Sequence, residues 1–600
     1  MASIGNFTLN GVPFDTVREA KGWSINAQFG LNPQPSINLE NLSITNTEKS
    51  NTKDKFMTFH DDLPTEGCRV GFDVSDGLIT FPFTFIADYN SLIETAVNEI
   101  TCNFKLDKSI DSLLDLQGED ITMSLLKYKG YLNSSHYVAH PYIIQNRKTV
   151  LEKLSLATNS VLIIKSMIDE MFKLINIAAD ITSGGVVQAL INLGQSIAGL
   201  VLLSNQIADL ITKIRESFFP PILYHSAIKL KTFIQRSCDY LGYSVEFGTW
   251  TEDIVLIPSK YDEVGYLTPE VVFFQDGILK VSDFGHNLKE SFALAKQLAN
   301  INLGIIDNTL HCRPLNDPFW ESTSSYVMPS VLIETSVLAN NGTKRKNRED
   351  LYVADILEYS TDDSDYWTIQ ANVNDSNGDR YCTALTSPIL VVNQRDVNLR
   401  GIKRETIPYA LAVRKGVVND LLDSLNQLNA DFYNYVTNIT EVFGGVESIL
   451  DETLPSLPTI EAFIETRNGA LKVENHFFST PKISILEPNA LGELRIPENF
   501  NDLIGAKALF KKYFNYNSLV PGVRNPLDFS DTNGKEIFEN VRIRFNIKEF
   551  EQLLNNSYFY TEDGKKGKFT AINWDVDKDS AVCDFWVKTP WLKNVEQVFL

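Results

Sequence analysis

The spacing of apolar positions changes twice along this chain. Over residues 1–149, short alternating runs such as GFDVSDGLITFPFTFIADY (71–89) lie between Gly, Asn, Pro and Asp. That period of two predicts half-buried strands. Near 150 the spacing becomes three and four: Val161, Ile164, Ile168, Met171, Ile175 and Ala178. After Ser183-Gly184-Gly185 a second series follows through Val186, Leu190, Leu193, Ile197, Leu200, Ser204, Ile207, Ile211 and Ile214. Two heptad helices joined at a Gly-Gly turn and closed by Pro220-Pro221 predict an antiparallel hairpin. A third heptad run, Val418, Leu421, Leu425, Leu428, Phe432, Tyr435, Ile439 and Val442, stops at Gly444-Gly445. Its other face carries Asn419, Asp420, Asp423, Asn426 and Asp431, so its apolar stripe needs a partner: the hairpin, or its own copies in an oligomer.

The residues between Asp180 and Asp209 carry no charge, which raises the question of a membrane span. Gln188, Asn192, Gln195 and Gln206 form a polar stripe that is costly in hydrocarbon. The preceding helix carries Lys165, Asp169, Glu170 and Lys173. The heptad series also continues past Asp209, with Lys213 and Arg215 beside it. The segment therefore reads as a helix buried in a bundle or subunit interface, with a true transmembrane helix and membrane insertion on triggering as the alternatives.

Between the helical stretches the pattern is mixed. FIQRSCDYLGYSVEFG (233–248) predicts a helix running into a strand, and 279–315 predicts strand, helix and a hairpin turning at Asp307-Asn308. At 600 residues the chain exceeds what one core supports, so roughly three to five domains are expected. The expected architecture is α+β and multidomain: mainly β domains with an inserted long helical hairpin and a third heptad helix. The expected boundaries are an N-terminal β domain (1–149), the hairpin (150–220), an α+β domain (221–320), a β-rich domain (321–410), the heptad helix (411–455) and a C-terminal β-rich domain (456–600).

Charge and chemistry narrow the picture. With 54 basic against 76 acidic residues the net charge is −22, which argues against a protein that coats nucleic acid or sits on anionic lipid. The stretch MASIGNFTLNGVPFDTV has no basic region before an apolar core, so Sec export is not expected. Cys68, Cys102, Cys238, Cys312, Cys382 and Cys583 are scattered and read as isolated thiols.

Asp283-Phe284-Gly285 lacks the companion kinase loops, and Gly194–Gly199 (GQSIAG) has one residue too many for a nucleophile elbow. His136 and His140 have zinc-pair spacing without the glutamate or a third ligand. Asp575, Asp577 and Asp579 mimic a calcium loop but place Ser580 where Gly is needed and Trp586 where Glu is needed. Lys344-Arg345-Lys346-Asn347-Arg348 reads as a solvated basic loop. No nucleophile meets a base and no metal shell assembles, so a structural chain is expected, neither an enzyme nor a cofactor or metal binder.

Three stretches carry a resemblance: LYHSAIKLKTFIQRSCDYLGYSVEF (223–247), TLHCRPLNDPFW (309–320) and RFNIKEFEQLLNNSYFYTEDGKKGKFTAINWDVDKDSAVCDFWV (544–587). They resemble tail structural proteins of tailed bacteriophages infecting Bacteroidetes. The helix-then-hairpin unit is similar to the tail or baseplate hub related to late-control D proteins. The resemblance implies a homo-oligomeric ring, a trimer favoured, between tail tube and host-contacting tip. Its expected partners are itself and other tail proteins, with DNA only in transit. It implies assembly in the host cytoplasm into the virion tail. Packing would run through Val161, Ile164, Ile168, Met171, Ile175, Val186, Leu190, Leu193, Ile197, Leu200, Ile207, Val418, Leu421, Leu425, Leu428 and Phe432. Two other classes remain: a membrane-active or pore-forming protein using the 183–208 helix, and a carbohydrate-active virion enzyme, whose distant carboxylates leave no spacing signature.

Overall fold

The computed structural model describes residues 3–13, 24–28, 36–46, 51–62, 67–110, 112–118, 121–144, 222–258, 274–275, 278–279, 286–322, 326–328, 343–347, 352–373, 378–385, 400–414, 469–475, 478–489, 492–514, 534–554, 558–562, 564–589 and 597–599. Strands predominate over helices and are gathered into several sheets. Both heptad segments, 150–220 and 415–455, lie outside the described residues, so neither the helical hairpin nor the third heptad helix is addressed.

Among the described residues the largest sheet has 13 strands. Its main path runs from Thr343–Asn347 through Gly534–Arg544, Ser580–Thr589, Lys566–Asp575, Ser24–Gln28, Ser36–Thr45, Glu99–Leu106, Thr80–Ala96, Arg69–Ser75 and Ser3–Leu9 to Val12–Pro13. Alternation builds it: Val70, Phe72 and Val74 on one strand, and Ile100, Cys102 and Phe104 on another, all point into one core. At the turn between two strands, Asp76 accepts hydrogen bonds from Leu78 N (2.9 Å) and Ile79 N (2.8 Å), while Gly77 takes φ +89°.

Strand pairing crosses the boundaries expected at 149 and 456. Trp574 pairs with Ile25 and Asn573 with Asn26, so the first and last parts of the chain share one sheet and one core. Pairing between segments so distant in sequence leaves no local pattern to read. The basic stretch expected as a loop is also different: Thr343–Asn347 forms the edge strand antiparallel to Gly534–Arg544.

A second core gathers the middle of the chain. Its sheet runs Ala410–Leu411, Lys482–Ile485, Ile254–Ile257, Leu223–Lys229, Tyr137–Ile144, Leu471–Val473. The IVLI strand at its centre is buried along its whole length. Helices Leu230–Leu241 and Leu288–Ala299 contribute Phe233, Ile234, Phe292 and Leu298 to this core. As the pattern predicts, the first of these helices leads into a strand, Ser244–Glu246. The hairpin Ile301–Ile306/Thr309–Pro314 turns at Asp307 and Asn308 (φ +50° and +62°), the left-handed pair that a two-residue turn demands. A four-stranded sheet, Arg400–Ile407, Tyr352–Tyr359, Arg380–Leu385 and Gln597–Phe599, flanks this core and again draws in the C-terminus.

Candidate functional site

Where the strand Tyr352–Tyr359 ends, successive side chains part to opposite faces. Tyr359 is buried in the inner core and its hydroxyl donates to Ile504 O (2.5 Å). Glu358 faces an open cleft of about 850 Å³. Both neighbouring strands supply an arginine to it: Arg380 Nε lies 3.7 Å and Arg404 Nε 3.5 Å from the Glu358 carboxylate. Thr406 Oγ1 donates to the same carboxylate at 3.2 Å. Ser360, Thr361 and Asp363 form one wall, and Asn372, Asp379 and Cys382 lie on the others.

The wall is pinned from behind. Asp362, between two cleft residues, turns inward and accepts from Ser364 Oγ and Ser479 Oγ (2.7 Å each) and from Lys482 Nζ (3.0 Å). Lys482 is fully buried on the strand Lys482–Ile485. It also reaches Asp365 Oδ2 at 3.1 Å and Thr368 Oγ1 at 2.9 Å. Burial pushes the Asp362 carboxyl up, but Lys482 and the two serine hydroxyls outweigh it and hold it below its usual range. One buried cation thus locks the loop that shapes the cleft onto the central sheet.

Two histidine arrangements elsewhere in this body look chemical and resolve as structural. His286 Nε2 lies 2.6 Å from Ser291 Oγ, and Nδ1 lies 2.7 Å from Tyr409 OH. Ser291 Oγ also donates to Asn287 O at 3.0 Å. The directions close if Tyr409 donates to Nδ1 and Nε2–H donates to Ser291, which leaves a neutral, satisfied ring. Burial holds its pKa down to about 4, and both His286 and Ser291 are buried beyond reach of a substrate. His140 sits opposite His225 on adjacent strands, both buried. Burial lowers His140 to about 3; His225 is lowered by burial and then by His140.

The structure separates the spacing pair His136 and His140. His136 closes a 3-10 turn, its Nδ1 accepting from Asn133 N (3.1 Å), whereas His140 is buried in the strand that follows. Among the described residues no group of three or more His, Cys, Asp or Glu could hold a metal ion. Asp575 and Asp579 flank a 3-10 turn in a hairpin, with Lys578 Nζ 2.5 Å from Asp575. Asp283-Phe284-Gly285, Gly194–Gly199 and every heptad residue expected at a packing interface lie outside the described residues. Among the described residues no helix is long and apolar enough to cross a membrane.

The stretch 309–320 is a compact corner. Asp317 accepts from Thr249 N (2.9 Å) and Phe319 N (3.0 Å), and Trp320 Nε1 donates to Pro314 O (3.0 Å). Gly248 is required there: its φ is +56°, and a Cβ would stand 2.1 Å from Asp317 Oδ2. Sequence reasoning missed the cleft and its lysine. The one local signal was the run Asp362-Asp363-Ser364-Asp365, a polar cluster between strands. Compared with models of known protein families and with curated proteins, the chain matches none.

Proposed function

We propose that this chain is a structural subunit of a bacteriophage tail, a hub or baseplate ring component that assembles through its heptad segments. The observation that carries the assembly part is where those segments are rooted. Tyr142 pairs with Leu223 on one side and Leu471 on the other, and Leu471 in turn bridges Arg414. The described residues that flank 145–221 and 415–468 therefore meet at neighbouring positions of one sheet. Two apolar heptad stripes leaving the same spot can bury each other, or the same stripes of further copies, at little cost in loop entropy. The sheet that unites the chain's two ends supports a fixed scaffold around that bundle. The tail assignment itself rests on the sequence resemblance.

Electron microscopy of the purified full chain, together with its mass in solution, tests this. Closed rings, a trimer favoured, are expected, and Leu193→Asp or Leu425→Asp should dissolve them. Monomers at micromolar concentration would sink the assembly reading. Flotation with liposomes that depends on residues 183–208 would replace it with a membrane-active protein.

A further inference from the structure

We infer that the cleft over Glu358 is a binding site for a neutral saccharide. Its volume, about 850 Å³, falls within the range of about 300–1,000 Å³ typical of small-molecule sites. Its chemistry is unlike that of most such sites, whose walls are apolar and aromatic. Among the described lining residues the one aromatic, Tyr359, is turned into the core with its hydroxyl committed to Ile504, so they offer no ring to a base or an aromatic ligand.

What the walls do offer is hydrogen bonding of both senses. Arg380 and Arg404 approach Glu358 through Nε, at 3.7 and 3.5 Å, and both are more than half exposed. Among the described residues their terminal Nη donors meet no other carboxylate. Asp363 is exposed and supplies acceptors; Thr361, whose oxygen accepts from Asn372 Nδ2 (3.3 Å), has its hydroxyl proton to give, and Thr406, whose proton goes to Glu358, can still accept. Two guanidinium groups interleaved with Glu358, Asp363 and Asp379 leave the described lining one negative charge from balance. An anion would meet the carboxylates and a cation the arginines. A hydroxyl group donates and accepts at once, so a polyhydroxylated neutral ligand satisfies both kinds of wall without a charge of its own. The buried Lys482 network holds the Ser360–Asp365 wall in place before any ligand arrives, which lowers the ordering cost of binding. The inference does not rest on the tail reading, because every residue it uses belongs to a single chain.

The test uses the full chain. Maltotriose, cellotriose, mannotriose and N,N′,N″-triacetylchitotriose are titrated at concentrations up to about 10 mM, with trigalacturonate and glucose 6-phosphate as charged comparators. At least one neutral sugar should bind, and Arg404→Ala and Asp363→Ala should each weaken it by roughly tenfold with the melting temperature unchanged. Cys382 reports on the location: it is half-buried in the cleft while the other five cysteines are buried. Maleimide labelling at Cys382 should slow in the presence of the bound sugar. The inference is overturned if no neutral sugar binds, if a charged comparator binds tighter, or if both variants bind as the parent does. It is equally overturned if the bound sugar leaves Cys382 labelling unchanged. Ring formation is measured on the same variants, so loss of sugar binding with intact rings separates the two readings.

Discussion

The two cores of this protein are stabilised by different physics. The large-sheet core is aromatic: Phe72 stacks on Phe85 (5.5 Å), Phe550 on Trp574 (4.8 Å) and Phe538 on Phe585 (4.9 Å). The inner core holds the buried histidines and a buried ion-pair network. His140, His225, His286, Lys482, Asp362 and Glu252 all lie there, Glu252 held by Tyr513 OH and by Lys512 Nζ (2.5 Å). Aromatic burial is indifferent to pH and forgiving of small shifts, whereas a buried polar network is stable only while every partner is present and correctly protonated. The body that carries the cleft is therefore the chemically conditional one.

Acid should expose that contrast most strongly. His140 and His286 have folded pKa values of about 3 and about 4, below the ordinary 6.5, so the unfolded chain binds their protons first. Stability is lost as pH falls from about 6.5 toward those values, and by pH 4 the two together remove on the order of 6 kcal/mol. Glu549, in the large-sheet body, has the opposite sign. Burial raises its pKa, so acidification relieves rather than strains that body. Hydrogen exchange at pH 4.5 should open residues 223–257 while 566–589 stay protected. Simultaneous loss of protection would mean that the two bodies unfold as one unit.

Next in size is Lys482→Met. It leaves Asp362 and Asp365 facing each other without a cation, a change worth about 3–5 kcal/mol for a buried pair. Adding Asp362→Asn and Asp365→Asn should restore much of that loss. A melting temperature insensitive to Lys482→Met would show that the network is not closed in solution. The matching change in the other body is smaller. Phe585→Leu keeps the core apolar and gives up ring contacts with Phe538, Phe559 and Phe569, for about 1–3 kcal/mol at every pH. A pH-dependent cost there would erase the distinction.

Legibility in the sequence follows the same divide. Strands of both bodies were readable wherever one face alternates, as at Arg69–Ser75, and the Asp307-Asn308 turn was readable because two left-handed residues favour Asp and Asn. The pairing of Trp574 with Ile25 was not, since it depends on which distant strand lies alongside. Lys482 was hidden for a related reason. In KISI it looks like an ordinary strand lysine facing water, and only the fold brings Asp362 and Asp365 over it. The cleft rests on three strands, a loop and a helix, and no single stretch encodes it.

One device is shared by both bodies, and it calibrates the rest. The phrases NLKE (287–290) and NIKE (546–549) each start a helix with a reciprocal cap. Asn287 Oδ1 accepts from Glu290 N (2.9 Å), and Glu290 Oε2 accepts from Asn287 N (3.2 Å). Asn546 Oδ1 accepts from Glu549 N (3.1 Å), and Glu549 Oε2 from Asn546 N (2.8 Å). Each box satisfies backbone donors that the first helical turn leaves open. Asn287→Ala and Asn546→Ala should therefore each cost about 1 kcal/mol, close to equal at pH 7. Asn546→Ala and Asn287→Ala remove only the side-chain acceptor and keep the backbone N–H that the glutamate caps. Measured by chemical denaturation of each variant at pH 7, markedly unequal costs would show that the surrounding body, rather than the box itself, sets the strength of the cap.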